Sequence, residues 1–176
     1  FQKGQMGDAM RALERIEGET PAAIRDDIEF LRANIYLAED LPAESLEVLD
    51  RLQGSSSYGG FASYNLGIAY LQDGQKTLAL EQLEKAGLIE SEDPGELAIR
   101  DKSNLVLGTI LLEDGDYETA VTYLNRVRIE GPFSNQALLS AGWASISAGN
   151  YQRAVVPWKI LAERELTDRA TQEALL

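Results

Sequence analysis

The 176-residue sequence predicts an all-α protein built from repeated antiparallel helix hairpins. Three observations carry that expectation. A small residue recurs in one local context at Ala33, Gly67, Gly108 and Gly142, with spacings of 34, 41 and 34. Each is followed by a turn signal at Asp40, Gly74, Gly115 or Gly149, and then by a second small residue at Ser45, Ala79, Ala120 or Ala154. Large apolar residues come next, Leu49, Leu83, Leu124 and Trp158, with Leu52, Ala86, Val127 and Leu161 three positions on, which is the spacing of one helix face. Each unit reads as helix, tight turn, helix, and self-similarity at such a period marks a solenoid.

These residues resemble the tetratricopeptide repeat family, whose 34-residue pattern has a small residue at position 8, an aromatic at 11, small again at 20, bulky at 24 and Pro near 32. The resemblance implies a right-handed superhelical solenoid, with bacterial-type degenerate repeats in a single array over 1–176. Taken along the chain, Gly4, Met6, Ala9, Leu13, Ile16 and Pro21 match the second half of a repeat, residues 1–23. Whole repeats follow at 26–59, 60–93, 101–134 and 135–168. In the second, Asn65, Leu66, Gly67, Tyr70, Gly74, Ala79, Leu83 and Ala86 all fall on pattern, and the third adds Tyr117 and Pro132. No repeat has the family's Trp at position 4, and Arg32, Leu111 and Ser145 replace an expected Leu, Tyr and Tyr. Residues 94–100 are an insertion of about two helical turns, which lengthens a first helix while keeping its apolar face in phase. Residues 169–176 begin a further repeat, so the chain reads as a fragment of a longer array.

The local chemistry agrees with the pattern. Small residues at positions 8 and 20 let the two helices of a hairpin approach, where larger side chains would force them apart. Gly in the turn supplies the positive φ that ends a helix, and Pro42 falls in a first helical turn, where a missing N–H costs nothing. Pro157 falls inside a second helix and is expected to kink it. The stretch Gly54 to Gly60 reads as a turn inside the normal period rather than a domain boundary.

Composition narrows the function. Hydrophobic residues make up 44% and charged residues 26%, ordinary for a folding globular chain. A formal charge of −13 repels phosphate backbones and anionic headgroups, which argues against a nucleic-acid partner or direct membrane insertion. Without Cys or His the chain has no disulfide, thiolate nucleophile or usual zinc ligand, and no cofactor or metal is expected. The degenerate repeat style resembles that of bacterial envelope proteins, which implies periplasm or cell envelope rather than cytoplasm.

No phosphate-binding loop, dinucleotide glycine pattern or metalloprotease motif is present in the sequence. Glu113, Asp114, Gly115 and Asp116 have the look of a calcium ligand run, but they coincide with a hairpin turn. Glu90, Glu92, Asp93 and Glu96 read as a solvated turn between repeats. The chain is therefore expected not to be an enzyme; a hydrolase using paired carboxylates is the remote alternative.

What the resemblance implies is a protein–protein interaction scaffold with a concave, largely apolar groove lined by first helices, for a peptide or amphipathic helix of a partner. Carried over residue by residue, the lining is Phe30, Asn34, Phe61, Tyr64, Ile68 and Gln72, then Lys102, Leu105, Thr109 and Glu113, then Gln136, Leu139, Trp143 and Ile146. Tyr64, Ile68, Thr109 and Trp143 are the residues most expected to touch it. Asn34, Asn65 and Lys102 match part of a family variant that grips a terminal carboxylate, while Phe30 and Val106 stand where its other cations belong. The alternative is a structural or self-assembling solenoid. Met6, Met10, Leu13 and Ile16 form an apolar stripe, and with Ala174, Leu175 and Leu176 they lead us to expect non-physiological self-association through truncated ends.

Overall fold

The computed structural model of the chain describes residues 3–15, 22–52 and 58–164. Among these, the structure is all-α, a solenoid of antiparallel helix hairpins. The helices are α1 (Lys3–Glu14), α2 (Ala22–Ala38), α3 (Pro42–Leu52), α4 (Gly59–Gln72), α5 (Lys76–Gly87), α6 (Pro94–Glu113), α7 (Tyr117–Leu124), α8 (Ser134–Ser147) and α9 (Tyr151–Ala162).

Four hairpins turn in the same way. Asp40, Gly74, Gly115 and Gly149 all have positive φ, between 59° and 81°. At each, two backbone bonds close the helix end. The N–H groups of these residues donate to Leu37, Leu71, Leu112 and Ile146, and those of the next residues donate to Tyr36, Tyr70, Leu111 and Ser145. This double bond pattern is the Schellman end, which needs a left-handed residue and so selects Gly three times in four. The following helix then starts on a cap: Asp116 accepts from the Thr119 N–H, and Asn150 from that of Arg153.

Close approach explains the small residues. A Cβ on Gly67 would stand 2.6 Å from Leu83 Cγ, one on Gly108 2.5 Å from Leu124 Cγ, and one on Gly142 1.9 Å from Trp158 Nε1. The bulky residue at position 24 therefore sits directly over the small residue at position 8. Position 20 adds its backbone, with the carbonyls of Ala79 and Ala120 at 3.3 and 3.2 Å from the first two of these Cβ positions.

The chain divides into two compact units, Phe1–Ala86 and Gly87–Leu176. The first has a core of Ala33, Val48, Leu49, Leu52, Ala62 and Leu66. In it α1 packs against α2, with Leu13 buried and Met10 half-buried, so the apolar stripe expected to lie bare is partly covered by its own neighbours. The side chain of Met6, Ile16, Pro21, the turn residues 54–57, and the terminal segment with Ala174, Leu175 and Leu176 lie outside the described residues.

The second unit has a core of Leu105, Val121, Leu124 and Val127 with the small residues Ala120, Ala137, Ala141 and Ala144. Its first helix, α6, is one unbroken helix of 20 residues that starts at Pro94. Asp93 caps it by accepting from the N–H groups of Gly95 and Glu96, so this carboxylate serves a helix start. Helix α7 stops at Leu124, and Val127 reaches the core from the turn rather than from a helix face. Asp101, fully buried on α6, accepts from Arg128 Nε at 2.7 Å and from the Arg128 backbone N–H, which ties the segment after α7 to α6. Helix α9 runs unbroken through Pro157, which is buried. Beside it a hollow of about 280 Å³ opens between α7, α8 and α9, walled by Leu124, Leu138, Val156, Pro157 and Ile160.

Candidate functional site

In the first unit, the expected groove residues lie on α2 and α4. Phe30 is half-buried; its ring stacks on Tyr58 at 4.7 Å and meets the edge of Phe61 at 6.1 Å. Tyr58 donates to Asp27 at 2.9 Å, and this hydrogen bond, with smaller contributions from burial and the negative charges of Asp27 and Asp26, raises its pKa. Asn65 donates to Asn34 at 2.9 Å, and Asn34 donates to the Phe30 carbonyl. One N–H of each amide is therefore engaged inside the unit. Tyr64 is 7% exposed, so the phenol expected to touch a partner is a core residue. The reason is the tight packing of its helix, where Ala62 through Gly67 are all buried. Ile68 is half-buried and Gln72 exposed, its Nε2 within 3.4 Å of the Leu37 carbonyl.

In the second unit, five of the expected residues come together. Lys102, Leu105, Thr109 and Glu113 on α6 and Gln136 on α8 line one open pocket of about 390 Å³. Val106, Ile110 and Phe133, which the repeat pattern did not single out, complete it. The first two follow from helical spacing, since residues one position beyond Leu105 and Thr109 widen the same stripe. Phe133 has no such signal, because it reaches the pocket from just ahead of α8. Leu105 is 5% exposed and forms the floor rather than the rim. The Thr109 hydroxyl donates to the Leu105 carbonyl at 2.9 Å, within α6. Lys102 and Glu113 lie three helical turns apart, so opposite charges stand near the two ends of the α6 face.

Leu139, Trp143 and Ile146 lie along α8 beyond this pocket's lining. Trp143 is 44% exposed, and its ring meets the edge of Trp158 at 5.1 Å. Trp158 in turn donates from Nε1 to the Leu139 carbonyl. The exposed indole is thus braced from behind by a second one, and it offers a broad apolar face at small entropic cost. Among the described residues, no group of three acidic side chains is placed to hold a metal, and no helix is long and apolar enough to cross a membrane. Asp114, Gly115 and Asp116 form the turn between α6 and α7, with Asp116 capping α7.

Comparison with known proteins follows the same lines. A sequence profile of the tetratricopeptide repeat matches residues 105–158, from the middle of α6 into α9. The structure of MamA superposes with a TM-score of 0.67 at 19% identity, over 98% of this chain and 90% of that one. The nearly identical TPR-like repeats of a Podosopora anserina protein named for the kinesin light chain superpose with a TM-score of 0.59. There the identity is 21%, over 89% of this chain and 84% of that one. At such identities the likeness is one of fold. No curated protein sequence matches this chain.

Proposed function

We propose that this tetratricopeptide-repeat chain is a protein-binding scaffold segment, and that a partner's peptide or amphipathic helix docks on the α6–α8 face. The observation that carries the reading is the pocket of about 390 Å³ with an apolar floor and a rim bearing Lys102, Glu113 and Gln136. Binding surfaces combine an apolar centre with a few oriented polar groups in this way. Thr109 and Gln136 are the proposed contacts at its edge, and the exposed Trp143 is the proposed anchor further along α8. Leu105 forms the buried floor of this pocket. Ile68 and Phe61 on α4 belong to the corresponding face of the first unit.

Crosslinking and pull-down from the source cell, comparing the native chain with Trp143→Ala combined with Thr109→Arg, should lose a partner in the variant. Unchanged recovery sinks this docking face. Tyr151, Val155 and Val156 on α9, each more than 60% exposed, favour a second reading in which copies of the chain assemble. Light scattering over a concentration series separates the two, since a monomer throughout removes the assembly reading.

A further inference from the structure

The outward edge of α9 breaks a pattern that the other second helices keep. At positions 22 and 26 of the repeat, one turn apart on the exposed side, α3 has Glu47 and Arg51, ion-paired at 3.8 Å. The α5 pair is Glu81 and Lys85, and α7 with the turn after it has Thr122 and Arg126, all exposed. In α9 the pair is Val156, 63% exposed, and half-buried Ile160. Both wall the hollow of about 280 Å³ between α7, α8 and α9, where exposed Ile129 also lies. A second hollow of about 200 Å³ continues it one turn back along α9, lined by Val121, Arg153, Val156 and Pro157. The two share Asn125, Ala141, Val156 and Pro157, so they form one trench, on residues that the α6–α8 pocket does not use. Apolar side chains where the repeat otherwise carries a solvated pair are surface that gains by being covered.

The trench selects the form of what covers it. Its polar groups are mostly engaged inside the unit: Ser134 accepts from Arg164, Ser145 donates to the Ala141 carbonyl, and Arg153 pairs with Glu118 at 3.1 Å. No strand edge lies among the described residues, so an extended segment would leave its N–H and C=O groups without a ladder in apolar surroundings. A helix satisfies its own. An apolar cavity of roughly 150 Å³ takes a benzene-sized group. Both lobes exceed that, so each holds a Leu-sized side chain, and their one-turn offset matches residues i and i+4 of a helix. Charge sets the polar face. Exposed Glu130 follows Ile129 and exposed Glu163 stands three residues past Ile160; among the described residues neither is in an ion pair. Arg164 beside them is held by Asn135, Ser134 and the Ile129 carbonyl. We propose that the α7–α9 trench docks an amphipathic helix of a partner protein with a basic polar face. Two apolar side chains one turn apart fill the lobes, and a Lys or Arg meets Glu130 and Glu163. The net charge of −13 steers such a partner in, while exposed Lys159, one turn before Glu163, keeps the local attraction modest.

The test is an NMR titration of the whole isotope-labelled chain with an alanine-based helical peptide of about 15 residues, carrying Leu at i and i+4 on one face and Lys on the others. The Val156 and Ile160 methyl signals are expected to shift and those of Thr109 to stay. The same peptide with a central Pro, which breaks the helix, should bind about tenfold more weakly or worse. Val156→Glu gives α9 the outward residue of α3 and α5. Its added charge favours Lys, so a loss of about tenfold reads the missing apolar contact. Glu130→Lys combined with Glu163→Lys should weaken the Lys peptide about threefold and tighten the same peptide with Glu for Lys. All three substitutions are at exposed side chains, unchanged melting curves verify that the fold is kept, and the peptide comparisons need no variant. No shift at Val156 and Ile160, shifts at Thr109 and Gln136 instead, equal binding of the Pro peptide, or equal binding of the Lys and Glu peptides to the native chain would each overturn the proposal. So would self-association in sedimentation that Val156→Glu abolishes, since the occupant is then a second copy.

Discussion

Among the described residues, the first and last of the four complete hairpins make the same crossing with different pairs of side chains. In α2–α3 the small position is Ala33, fully buried in one core with Leu49, and Ser45 on the second helix donates to the Ala33 carbonyl at 3.1 Å. In α8–α9 the small position is Gly142, and Trp158 occupies the space a methyl would need. The two hairpins between them show that the large residue alone does not decide the small one. Leu83 and Leu124 exclude a Cβ at Gly67 and Gly108, whereas Leu49 coexists with one at Ala33. What is constrained is the volume shared across the crossing, and α2–α3 leaves a methyl's more room. The turns differ in parallel, since α2–α3 turns at Asp40 with φ 59° and the others at glycine.

The largest expected effect comes from placing a methyl where the indole lies. Gly142→Ala forces Trp158 aside, an overpacking cost of up to about 3 kcal/mol, offset by about 1 kcal/mol of helix propensity. Urea unfolding should therefore show a loss of about 2 kcal/mol. Leu83 and Leu124 also exclude a Cβ at the glycine they face, so adding Trp158→Leu should recover little of that loss. A double variant as stable as the native chain would show instead that the indole alone excludes the methyl.

A smaller pair of effects concerns the turns and should have opposite signs. Gly74→Ala meets no atom within 4 Å, so its cost is that of the left-handed backbone alone, about 1 kcal/mol. Asp40→Gly relieves the same strain while loosening the unfolded chain, for a net gain below about 1 kcal/mol. Thermal melts of the two variants that move in the same direction would show that the Asp40 side chain contributes more than its φ angle suggests.

The smallest effect is a pH dependence confined to the first unit. Tyr58 has its pKa raised above 10.0, chiefly because its neutral hydroxyl donates to Asp27. The stability this adds is complete below the ordinary tyrosine value and is lost as the pH rises through the raised one. Tyr58→Phe should thus lower stability at neutral pH and remove the alkaline dependence. Ultraviolet titration of the phenolate, native against Asp27→Asn, should show one tyrosine shifting downward in the variant. An unchanged titration would mean that the Asp27 contact does not hold in solution.

Much of the fold was legible in the sequence because repeat signals are local. The Gly and Asp turn residues, the small residues and the bulky partners at positions 24 each answer to a backbone angle or a crossing distance that recurs in every hairpin. The site was legible only in its outline. Position numbers on a first helix say which way a side chain leaves the backbone, and Lys102, Thr109, Glu113 and Gln136 do meet around one pocket. They say nothing of how closely the next helix packs, which is why Tyr64 and Leu105 are core.

Sequence alone determined the hairpin as the unit, its turns and the all-α class, since these depend on contacts within about one period of the chain. Tertiary structure decided the rest. Asp101 and Arg128 stand 27 residues apart, and their 2.7 Å contact, which ties the turn after α7 to α6, is invisible in a linear pattern. Asn104 reads in sequence as one more helical asparagine. Its buried oxygen without a donor exists only because Gly87, 17 residues earlier, takes its amide protons together with Arg100. Burial and hydrogen-bond completeness are properties of a packed neighbourhood, and a linear pattern carries the residues of that neighbourhood without their distances.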